Sequence, residues 1–332
     1  MSVYIIAEAG VNHNGKLDLA LKLCDAAKEA GVDAVKFQTW KTENIVTAQA
    51  RQAAYQTENT GVEESQFDML KKLELSYDHF RYIQDYCKKI GIDFLSTPDE
   101  EESLEFLVSL GLPFIKVGSG EVTNIPYLRK IGSKGKPVIL STGMSNLAQV
   151  ATAYDTLVKA GADGVSLLHC TTNYPCPMDE VNLRAMITLR EAFKCQVGYS
   201  DHTMGTEVPV AAVALGAEII EKHFTLDRTM EGPDHKASLE PAELKLMVQQ
   251  IRHIEAALGD GIKRPNKSEA ENAKVVQKSI LAKRPIRKGE VLTEENLTVK
   301  RAGAGIPANL WDSVLGGMAI KDFDIDEPIK LY

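Results

Sequence analysis

The chain has 332 residues, of which 44% are hydrophobic and 25% charged, and its formal net charge is −8. This length and composition are typical of a soluble globular protein with one large domain and one small one. The acidic balance argues against nucleic acid as the main partner, because binding a phosphate backbone requires a basic surface. Basic side chains that converge in one cleft can still bind an anionic substrate.

The cysteines are odd in number and form no Cys-x-x-Cys pair, which favours reduced thiols over a disulfide framework. They are Cys24, Cys87, Cys170, Cys176 and Cys195. The opening MSVYIIAEAGVNHNG lacks the basic and long apolar segments of a signal peptide. No apolar run approaches the ~20 residues that span a bilayer. We therefore expect a cytoplasmic protein with no membrane partner.

Eight short apolar runs, flanked by Gly, Pro or Asp, predict buried parallel strands. Each run ends in polar, potentially reactive side chains, which is unusual for a purely structural sheet. In chain order the runs span 3–10, 33–39, 93–98, 114–121, 137–143, 164–171, 196–203 and 218–225.

Apolar residues at helical spacing predict helices between these runs. Leu17–Ala30 and Tyr77–Ile90 have this pattern, and a glycine follows each of them. Pro241–Leu258 predicts a closing helix that also ends at a glycine, with Ser238 as a candidate N-terminal cap.

Eight β–α units over about 260 residues predict a (β/α)8 TIM barrel, since that fold typically takes ~250 residues. The main alternative, a doubly wound open sheet, would not usually place polar residues at the C-terminal ends of all eight strands. In a barrel these ends form one rim, where barrel enzymes carry out their chemistry. The connection between the second and third strands is the longest, and we expect residues 57–70 to fold over the mouth.

The composition changes after the barrel, which we assign to residues 1–260. Residues 261–275 are polar and charged and predict a linker or a short solvated helix. Residues 276–332 contain short strand-like runs, Gly and Pro turns and little helical periodicity. This segment predicts a small β-rich domain that needs a neighbour for stability.

Two histidines at the ends of neighbouring strands are the candidate metal ligands. His202 ends the seventh strand run and His223 the eighth. Two imidazoles on adjacent strand ends suit a first-row divalent metal with positions left for substrate oxygens. The alternative is a pair of hydrogen-bonded rim histidines. Asp201 and Glu221 adjoin the two rings and would orient them or act as an acid/base pair.

Basic and hydroxyl side chains at other strand ends predict an anion site. Lys36 and Lys116 lie on the second and fourth strands, and Gly-containing turns occupy 118–120 and 141–143. Backbone N–H groups of such turns, with hydroxyl and ammonium groups, bind phosphate and carboxylate oxygens. The hydroxyl side chains are those of Thr97, Ser119, Ser141 and Ser200. A surface lysine or a Schiff-base amine is the alternative for either lysine.

Three glutamates, Glu8, Glu121 and Glu221, end strand runs and are the candidate proton carriers. A carboxylate in an apolar rim needs a partner such as a lysine, a metal or a substrate. The pattern leaves open which of them moves protons. The loop 11–15 adds amide and imidazole donors near the mouth, although Asn14-Gly15 alone signals only a turn.

Together these motifs resemble the sialic acid synthase family in nearly the whole chain and in the right order. The matching motifs are IAEAGVNHNG, DAVKFQT, the YQxxNTG stretch at 55–61, STP, IKVGSGE, ILSTGM, LLHCTTNYP, GYSDHT, EKHFTLDRTMEGPDH and KRAGAGI. The last segment resembles that family's antifreeze-like (SAF) domain. Three positions depart from the family pattern and leave the sugar open: Asp99, Ala302, and Thr171 or Thr172.

The resemblance implies a transferase that condenses phosphoenolpyruvate with an N-acylated amino sugar and water and releases phosphate. The first expectation is N-acetylmannosamine, which gives N-acetylneuraminate. The alternative is 2,4-diacetamido-2,4,6-trideoxymannose, which gives N,N'-diacetyllegionaminate. The resemblance also implies a domain-swapped homodimer and a divalent metal at His202 and His223, Mn²⁺ first, with Mg²⁺ or Co²⁺ as alternatives.

The resemblance also implies which residues contact the substrates. The phosphoenolpyruvate carboxylate would be held by Lys36, Thr97 and Lys116. Its phosphate would be held by Ser119, Ser141, Thr172 and Ser200. The sugar would be held by Gln38, Asn59, Tyr174 and Asp234, together with Arg301 of the partner subunit. Glu8, Glu121 or Glu221 would act in catalysis.

Three other classes of protein remain as alternatives. Other phosphoenolpyruvate-condensing barrels lack an antifreeze-like domain, so the last segment argues against them. A Schiff-base aldolase would use Lys36 or Lys116 and need no metal. A sugar-binding or ice-binding protein without enzymatic activity would leave the polar strand ends unexplained.

Overall fold

The computed structural model describes residues 2–332, except for the side chains of Ala54, Tyr55 and Glu58. Tyr55, which opens the motif at 55–61, therefore lies outside the described side chains. The chain divides into two compact units, one that ends at Gly259 and one from Asp260 to Tyr332.

The first unit is built on eight parallel strands. In chain order they are β1 (Tyr4–Gly10), β2 (Ala34–Thr39), β3 (Asp93–Pro98), β4 (Ile115–Val117), β5 (Val138–Ser141), β6 (Val165–His169), β7 (Val197–Asp201) and β8 (Ile219–His223). Hydrogen bonds join them in the order β3-β2-β1-β8-β7-β6-β5-β4. The two end strands, β3 and β4, lie side by side, so the sheet is nearly closed. The predicted TIM barrel is confirmed.

Eleven helices accompany the described strands of this unit. They are α1 (Leu17–Ala30), α2 (Thr42–Ile45), α3 (Ala54–Thr60), α4 (Gln66–Leu73), α5 (Tyr77–Ile90), α6 (Glu101–Ser109), α7 (Ile125–Gly132), α8 (Leu147–Ala160), α9 (Arg184–Phe193), α10 (Glu207–Ala214) and α11 (Pro241–Leu258). Short 3₁₀ turns occupy Ser119–Glu121, Met178–Glu180 and His235–Ala237. Within residues 2–332, none of the helices combines the length and apolar composition that a bilayer crossing requires.

The ends of α1, α5 and α11 lie where the sequence predicts them. Gly31 and Gly91 end α1 and α5 in the left-handed conformation, at φ 82° and 73°. The predicted cap of α11 is wrong. Glu240 is the N-cap residue of that helix, and its N–H donates to the Glu243 carboxylate at 2.8 Å. Ser238 instead donates to the Asp234 carbonyl at 2.7 Å, so its hydroxyl serves the preceding loop.

Inside the barrel, an apolar layer lies below a polar one. The apolar layer consists of Ile6, Ala34, Leu95, Ile139, Leu168 and Ile219, with Tyr4 and Phe114 packed against it. Because side chains alternate along a strand, the residue two positions further on faces the same interior. Those next positions hold Glu8, Lys36, Thr97, Lys116, Ser141, Cys170 and Glu221. The strand pattern therefore places a polar ring at the C-terminal mouth.

The long connection between β2 and β3 carries α2 to α5 and has a small core of its own. That core consists of Val11, Trp40, Met69 and Leu73. Glu74 fixes the start of α2, because its carboxylate accepts the Thr42 N–H at 3.0 Å and hydroxyl at 2.9 Å. Asn59 on α3 donates to the carbonyl of Pro233, in the loop after β8, at 2.7 Å. The connection is thus tied to the rim of the barrel.

The second unit begins with α12 (Lys267–Val276), whose residues are at least partly exposed. The stretch predicted as a linker or solvated helix therefore contains a helix. Two antiparallel strands follow, β9 (Ser279–Ala282) and β10 (Leu297–Lys300), then a 3₁₀ turn (Ala308–Leu310) and α13 (Trp311–Val314). The unit has its own core, which comprises Ile280, Ala282, Ile286, Leu292, Leu297, Val314, Ala319, Phe323 and Ile329.

Candidate active site

A polar cavity of about 180 Å³ lies at the C-terminal ends of the barrel strands. Most of the residues predicted for the site line it together. These are Glu8, Lys36, Gln38, Thr97, Lys116, Ser119, Ser141, Thr172, Tyr174, Ser200, His202, Glu221 and His223. Strands from the beginning to the end of the first unit thus contribute to one site.

Lys36 bonds to the first strand and the third. Its Nζ lies 2.7 Å from Glu8 Oε2 and 3.9 Å from Glu221 Oε2. It also donates to Thr97 Oγ1 at 3.0 Å. Gln38 donates to the other oxygen of Glu8 at 3.0 Å. The Lys36 ammonium group therefore has two carboxylate partners and one hydroxyl partner deep in the mouth.

Lys116 occupies the opposite side of Glu221. Its Nζ donates to Ser141 Oγ at 2.8 Å and lies 3.5 Å from Glu221 Oε1. Ser200 Oγ donates to the same carboxylate oxygen at 3.3 Å. Glu221 is thereby placed between the two ammonium groups, with one oxygen facing each.

Burial and charge together set the protonation of these groups. Burial raises the pKa of Glu8 to about 7, although Lys36 opposes the shift. Burial would also raise the pKa of Glu221, but Lys116 and Lys36 hold it below its usual value. Burial lowers the pKa of Lys116. Glu221 is therefore firmly ionised, whereas Glu8 exchanges a proton near neutral pH.

A second corner of the cavity suits an oxyanion. The Gly143 N–H donates to Ser119 Oγ at 2.9 Å, and Ser119 Oγ lies 3.1 Å from Cys170 Sγ. Thr172 Oγ1 is buried and has no hydrogen-bond partner within the described part of the chain. The absence of a side chain at Gly143 leaves room for this hydroxyl in its present position, since a Cβ there would lie 2.3 Å from Thr172 Oγ1. A buried hydroxyl without a partner is what a phosphate oxygen would satisfy.

The two histidines fit a divalent metal. Their ring centroids lie 5.4 Å apart, and burial lowers the pKa of both, so both rings are neutral. His202 Nδ1–H donates to the Thr171 carbonyl at 2.6 Å, which leaves its Nε2 lone pair available. His223 Nδ1 is buried without a hydrogen-bond partner among the described residues, and the nearest carboxylate, Asp234, is 3.8 Å away.

The site supplies two ligands rather than a closed metal cage. Across residues 2–332, the described side chains form no cluster of three or more His, Cys, Asp or Glu that could hold an ion. An ion at the two histidines would keep several positions for water or substrate oxygens. The ring of Tyr174 packs against both, with centroids 4.1 Å from His202 and 5.5 Å from His223.

Other predicted residues do not line the cavity. Glu121 is half-buried in the 3₁₀ turn after β4 and accepts a hydrogen bond from Asn124 at 2.6 Å. Asn59 is engaged with Pro233. Asp234 is buried in the loop after β8, and burial raises its pKa to about 6. Arg301 is exposed in the second unit.

Asp201 does not line the cavity, and within the described residues its carboxylate makes no hydrogen bond to the His202 ring, which bonds to the Thr171 carbonyl. Its carboxylate pairs with Lys222 and accepts hydrogen bonds from Thr203. Asp99 also lines the cavity, although the sequence marks it only as a departure from the family pattern. Burial raises the pKa of Asp99 to about 7. Its position two residues beyond Thr97 was the signal for this location.

Comparison with known proteins fits this geometry. The model of the NeuB family matches residues 23–263 and that of the SAF domain matches residues 277–331. The chain belongs to the NeuB family. The predicted resemblance to the sialic acid synthases and their antifreeze-like domain is thereby confirmed, and with it the expectation that the protein is an enzyme of that class.

Two curated relatives of this NeuB-family protein are N,N'-diacetyllegionaminic acid synthases. The protein from Campylobacter jejuni is 52% identical over 98% of both chains. That from Legionella pneumophila is 46% identical over 95% of this chain and 90% of its own. A solved structure, N-acetylneuraminic acid synthetase from Leptospira borgpetersenii, has a TM-score of 0.73 and 36% identity over 82% of this chain and 91% of its own.

Proposed function

We propose that this protein is a transferase that condenses phosphoenolpyruvate with 2,4-diacetamido-2,4,6-trideoxymannose and water. The products would be N,N'-diacetyllegionaminate and phosphate. The observation that carries the reaction type is one cavity that combines two buried lysines, an unpartnered hydroxyl and a neutral histidine pair. We assign the protein to the cytoplasm, as its sequence predicts.

The choice of sugar rests on the relatives. Identity is 52% and 46% to two N,N'-diacetyllegionaminic acid synthases, against 36% to an N-acetylneuraminic acid synthetase. These values favour the diacetamido sugar, which the sequence alone places second, over N-acetylmannosamine. Sugar contacts would come from Gln38, Asn59, Tyr174 and Asp234, together with Arg301 of the partner subunit in a domain-swapped homodimer.

His202 and His223 would hold the divalent metal, Mn²⁺ first, with Mg²⁺ or Co²⁺ as alternatives. A metal at this position supplies Lewis acidity toward the aldehyde oxygen of the open-chain sugar. The Thr171 carbonyl fixes the His202 ring for this task through the bond to Nδ1.

The lysines and hydroxyls would orient phosphoenolpyruvate. Lys36, Thr97 and Lys116 would take the carboxylate, because both ammonium groups and the Thr97 hydroxyl line the same cavity beside Glu221. The phosphate would lie against the oxyanion corner and the neighbouring strand ends. Its ligands there would be Ser119, Ser141, Thr172 and Ser200. Fixed donors in a buried site stabilise the charge without solvent rearrangement.

Three proton transfers accompany the reaction. C3 of phosphoenolpyruvate bonds to the aldehyde carbon, whose oxygen gains a proton and becomes a hydroxyl. Water adds at C2 and loses one proton; the C–O bond to phosphate then breaks, the new C2 hydroxyl becomes a ketone, and its proton passes to the leaving phosphate. Glu8, whose pKa burial raises to about 7, suits proton transfer in both directions, whereas Glu221 is held ionised by two lysines and is the weaker base. Glu121 lies outside the lining, so we assign it no proton step.

The test is phosphate release from phosphoenolpyruvate with Mn²⁺ and each of three sugars. These are the diacetamido sugar, N-acetylmannosamine and its 6-phosphate. We expect the highest kcat/KM with the diacetamido sugar, complete loss with EDTA, and no borohydride-trapped adduct. Preference for N-acetylmannosamine would overturn the sugar assignment alone. Release with none of the three would overturn the reaction.

A further inference from the structure

An ion pair lies directly behind the two histidines, on the outer face of the sheet. Along β7 and β8, side chains alternate between the cavity and this outer face. Ser200 and Glu221 face the cavity and are register partners. Asp201 and Lys222 are the next register partners and face the opposite way. The same two strand ends therefore carry the metal ligands on one face and an ion pair on the other.

Each member of the ion pair is the sequence neighbour of one of the two histidines. Lys222 immediately precedes His223, and its Nζ lies 2.5 Å from Asp201 Oδ2. Lys222 also donates to the carbonyl of Thr203. Asp201 and Thr203 are the residues on either side of His202. The Lys222 ammonium group thus bonds to the side chain of the residue before His202 and to the backbone carbonyl of the residue after it, and Lys222 is itself the neighbour of His223 in the chain.

The carboxylate of this pair is fully engaged. Asp201 Oδ1 accepts from the Thr203 N–H at 3.0 Å and from its hydroxyl at 2.9 Å, and Oδ2 accepts from Lys222. Both charged side chains are 0% exposed. A buried network in which these polar atoms all have partners favours a single arrangement, because any other would leave some of them without a hydrogen bond.

Stability alone is a weak reason for this arrangement. Removing two charges from water is costly, and well-packed apolar residues of similar volume often serve a fold as well as a buried ion pair does. Nor does the pair contribute to the cavity, since neither side chain lines it. Unlike apolar contacts, the charge-assisted hydrogen bonds of the pair have a preferred direction, so they favour one relative position of the β7 and β8 ends.

We infer that Asp201 and Lys222 are positioning residues that set the separation of His202 and His223 and thereby the affinity for the metal. The inference rests on the proposed function, because it assumes that these histidines bind a divalent ion. Groups that orient metal ligands typically change metal affinity by about 10–100-fold when they are removed.

The test measures Mn²⁺ dissociation constants by the electron paramagnetic resonance signal of the free ion, well below the melting temperature of every variant. The variants are Asp201→Asn, Lys222→Met and the double variant, which leaves no unpaired buried charge and should fold even if a single variant does not. We expect affinity to fall by about tenfold or more in each folded variant. The d–d absorption of bound Co²⁺, which reports ligand geometry, should change in parallel.

The matched control is Leu167→Ala, a buried core substitution on β6 that destabilises the barrel away from the histidines. It should leave Mn²⁺ affinity within about twofold of wild type, since additive effects are the rule for separated sites. A folded Asp201→Asn/Lys222→Met variant with wild-type affinity would overturn the inference alone. Wild-type protein that binds no Mn²⁺ would overturn the metal site proposed above and this inference with it.

Discussion

Lys36 and Lys116 already have protein partners in the free site. Glu8 lies 2.7 Å from one ammonium group and Glu221 lies 3.5 Å from the other. An incoming carboxylate must therefore compete with these glutamates for the same lysines. Protonation of Glu8, whose pKa burial raises to about 7, would release Lys36 for the substrate. Substrate binding is thus expected to be coupled to proton uptake.

His13 is the residue for which we expect a clear effect of pH on stability. It is fully buried, its Nδ1 accepts the Gly15 N–H at 3.1 Å, and burial lowers its pKa to about 4. In the unfolded chain the pKa of His13 has its ordinary value of 6.5. Between these values the unfolded state binds the extra proton, so stability falls as the pH falls. The loss reaches about 2 kcal/mol at pH 5.

His13→Asn keeps an acceptor for Gly15 but cannot take up a proton. The difference in free energy of unfolding between pH 7.5 and pH 5 should shrink by about 1–2 kcal/mol relative to wild type. Urea unfolding followed by circular dichroism measures it. His253→Asn, at an exposed position of α11, is the control and should leave the difference unchanged. An unchanged difference in His13→Asn would show that its proton is not linked to folding.

Side-chain alternation predicts most of the cavity lining from the sequence. Once one residue of a strand is known to face the barrel interior, the residue two positions further on must face it as well. The same rule explains why Asp201 and Glu121 lie outside the cavity, although both lie at or near the ends of predicted strands. Asp201 has the opposite parity to Ser200 and His202 and so faces outward. Glu121 lies beyond the end of β4 in a 3₁₀ turn, where the period of two no longer applies. Its half-buried position depends on the local turn rather than on the strand pattern.

At the scale of elements, local signals predict helix ends but not the long connection. Glycines end α1 and α5, and this signal is local because it depends only on the left-handed backbone conformation of the glycine itself. The helices α2, α3 and α4 are short and depend on distant contacts, such as Trp40 against Met69. A window of sequence does not contain those contacts.

The loop after β5 offers a direct test of the oxyanion corner. In Gly143→Ala the new Cβ would lie 2.3 Å from Thr172 Oγ1 and 2.9 Å from Ser119 Oγ, so both hydroxyls must move. A displacement of about 1 Å in a positioned site can lower activity by about 100-fold. We expect KM for phosphoenolpyruvate to rise by at least about tenfold, while KM for the sugar changes little. Steady-state kinetics measure both. An unchanged KM for phosphoenolpyruvate would contradict the assignment of the phosphate to this corner.

At the scale of the whole molecule, the chain has two units with separate cores. The sequence predicts both units from the change in composition alone. The oligomeric state is harder to predict from one sequence, because residues that a partner subunit adds to a site leave no periodic pattern in the sequence around that site. Arg301 is the residue on which the proposed swapped dimer depends.

Complementation between two defective variants tests that dimer. His223→Gln removes a proposed metal ligand, and Arg301→Ala removes the proposed contact from the second unit. In a swapped dimer, the mixed species regains one complete site, so subunit exchange of equal amounts should restore about a quarter of wild-type activity. Phosphate release measures it. His223→Gln mixed with His202→Gln is the control and should remain inactive. No recovery with Arg301→Ala would mean that each site draws on one chain only.

The pairing of β1 with β8 has a consequence for how the protein is made. Glu8, on the first strand, is the register partner of His223, on the last, so the earliest and latest parts of the barrel meet in one site. A nascent chain that has not reached residue 219 carries Lys36 and Lys116 without Glu221. Contacts this distant in sequence also form slowly. The ribosome must therefore deliver almost the whole barrel before the site is complete, and products truncated before residue 219 would lack both Glu221 and His223.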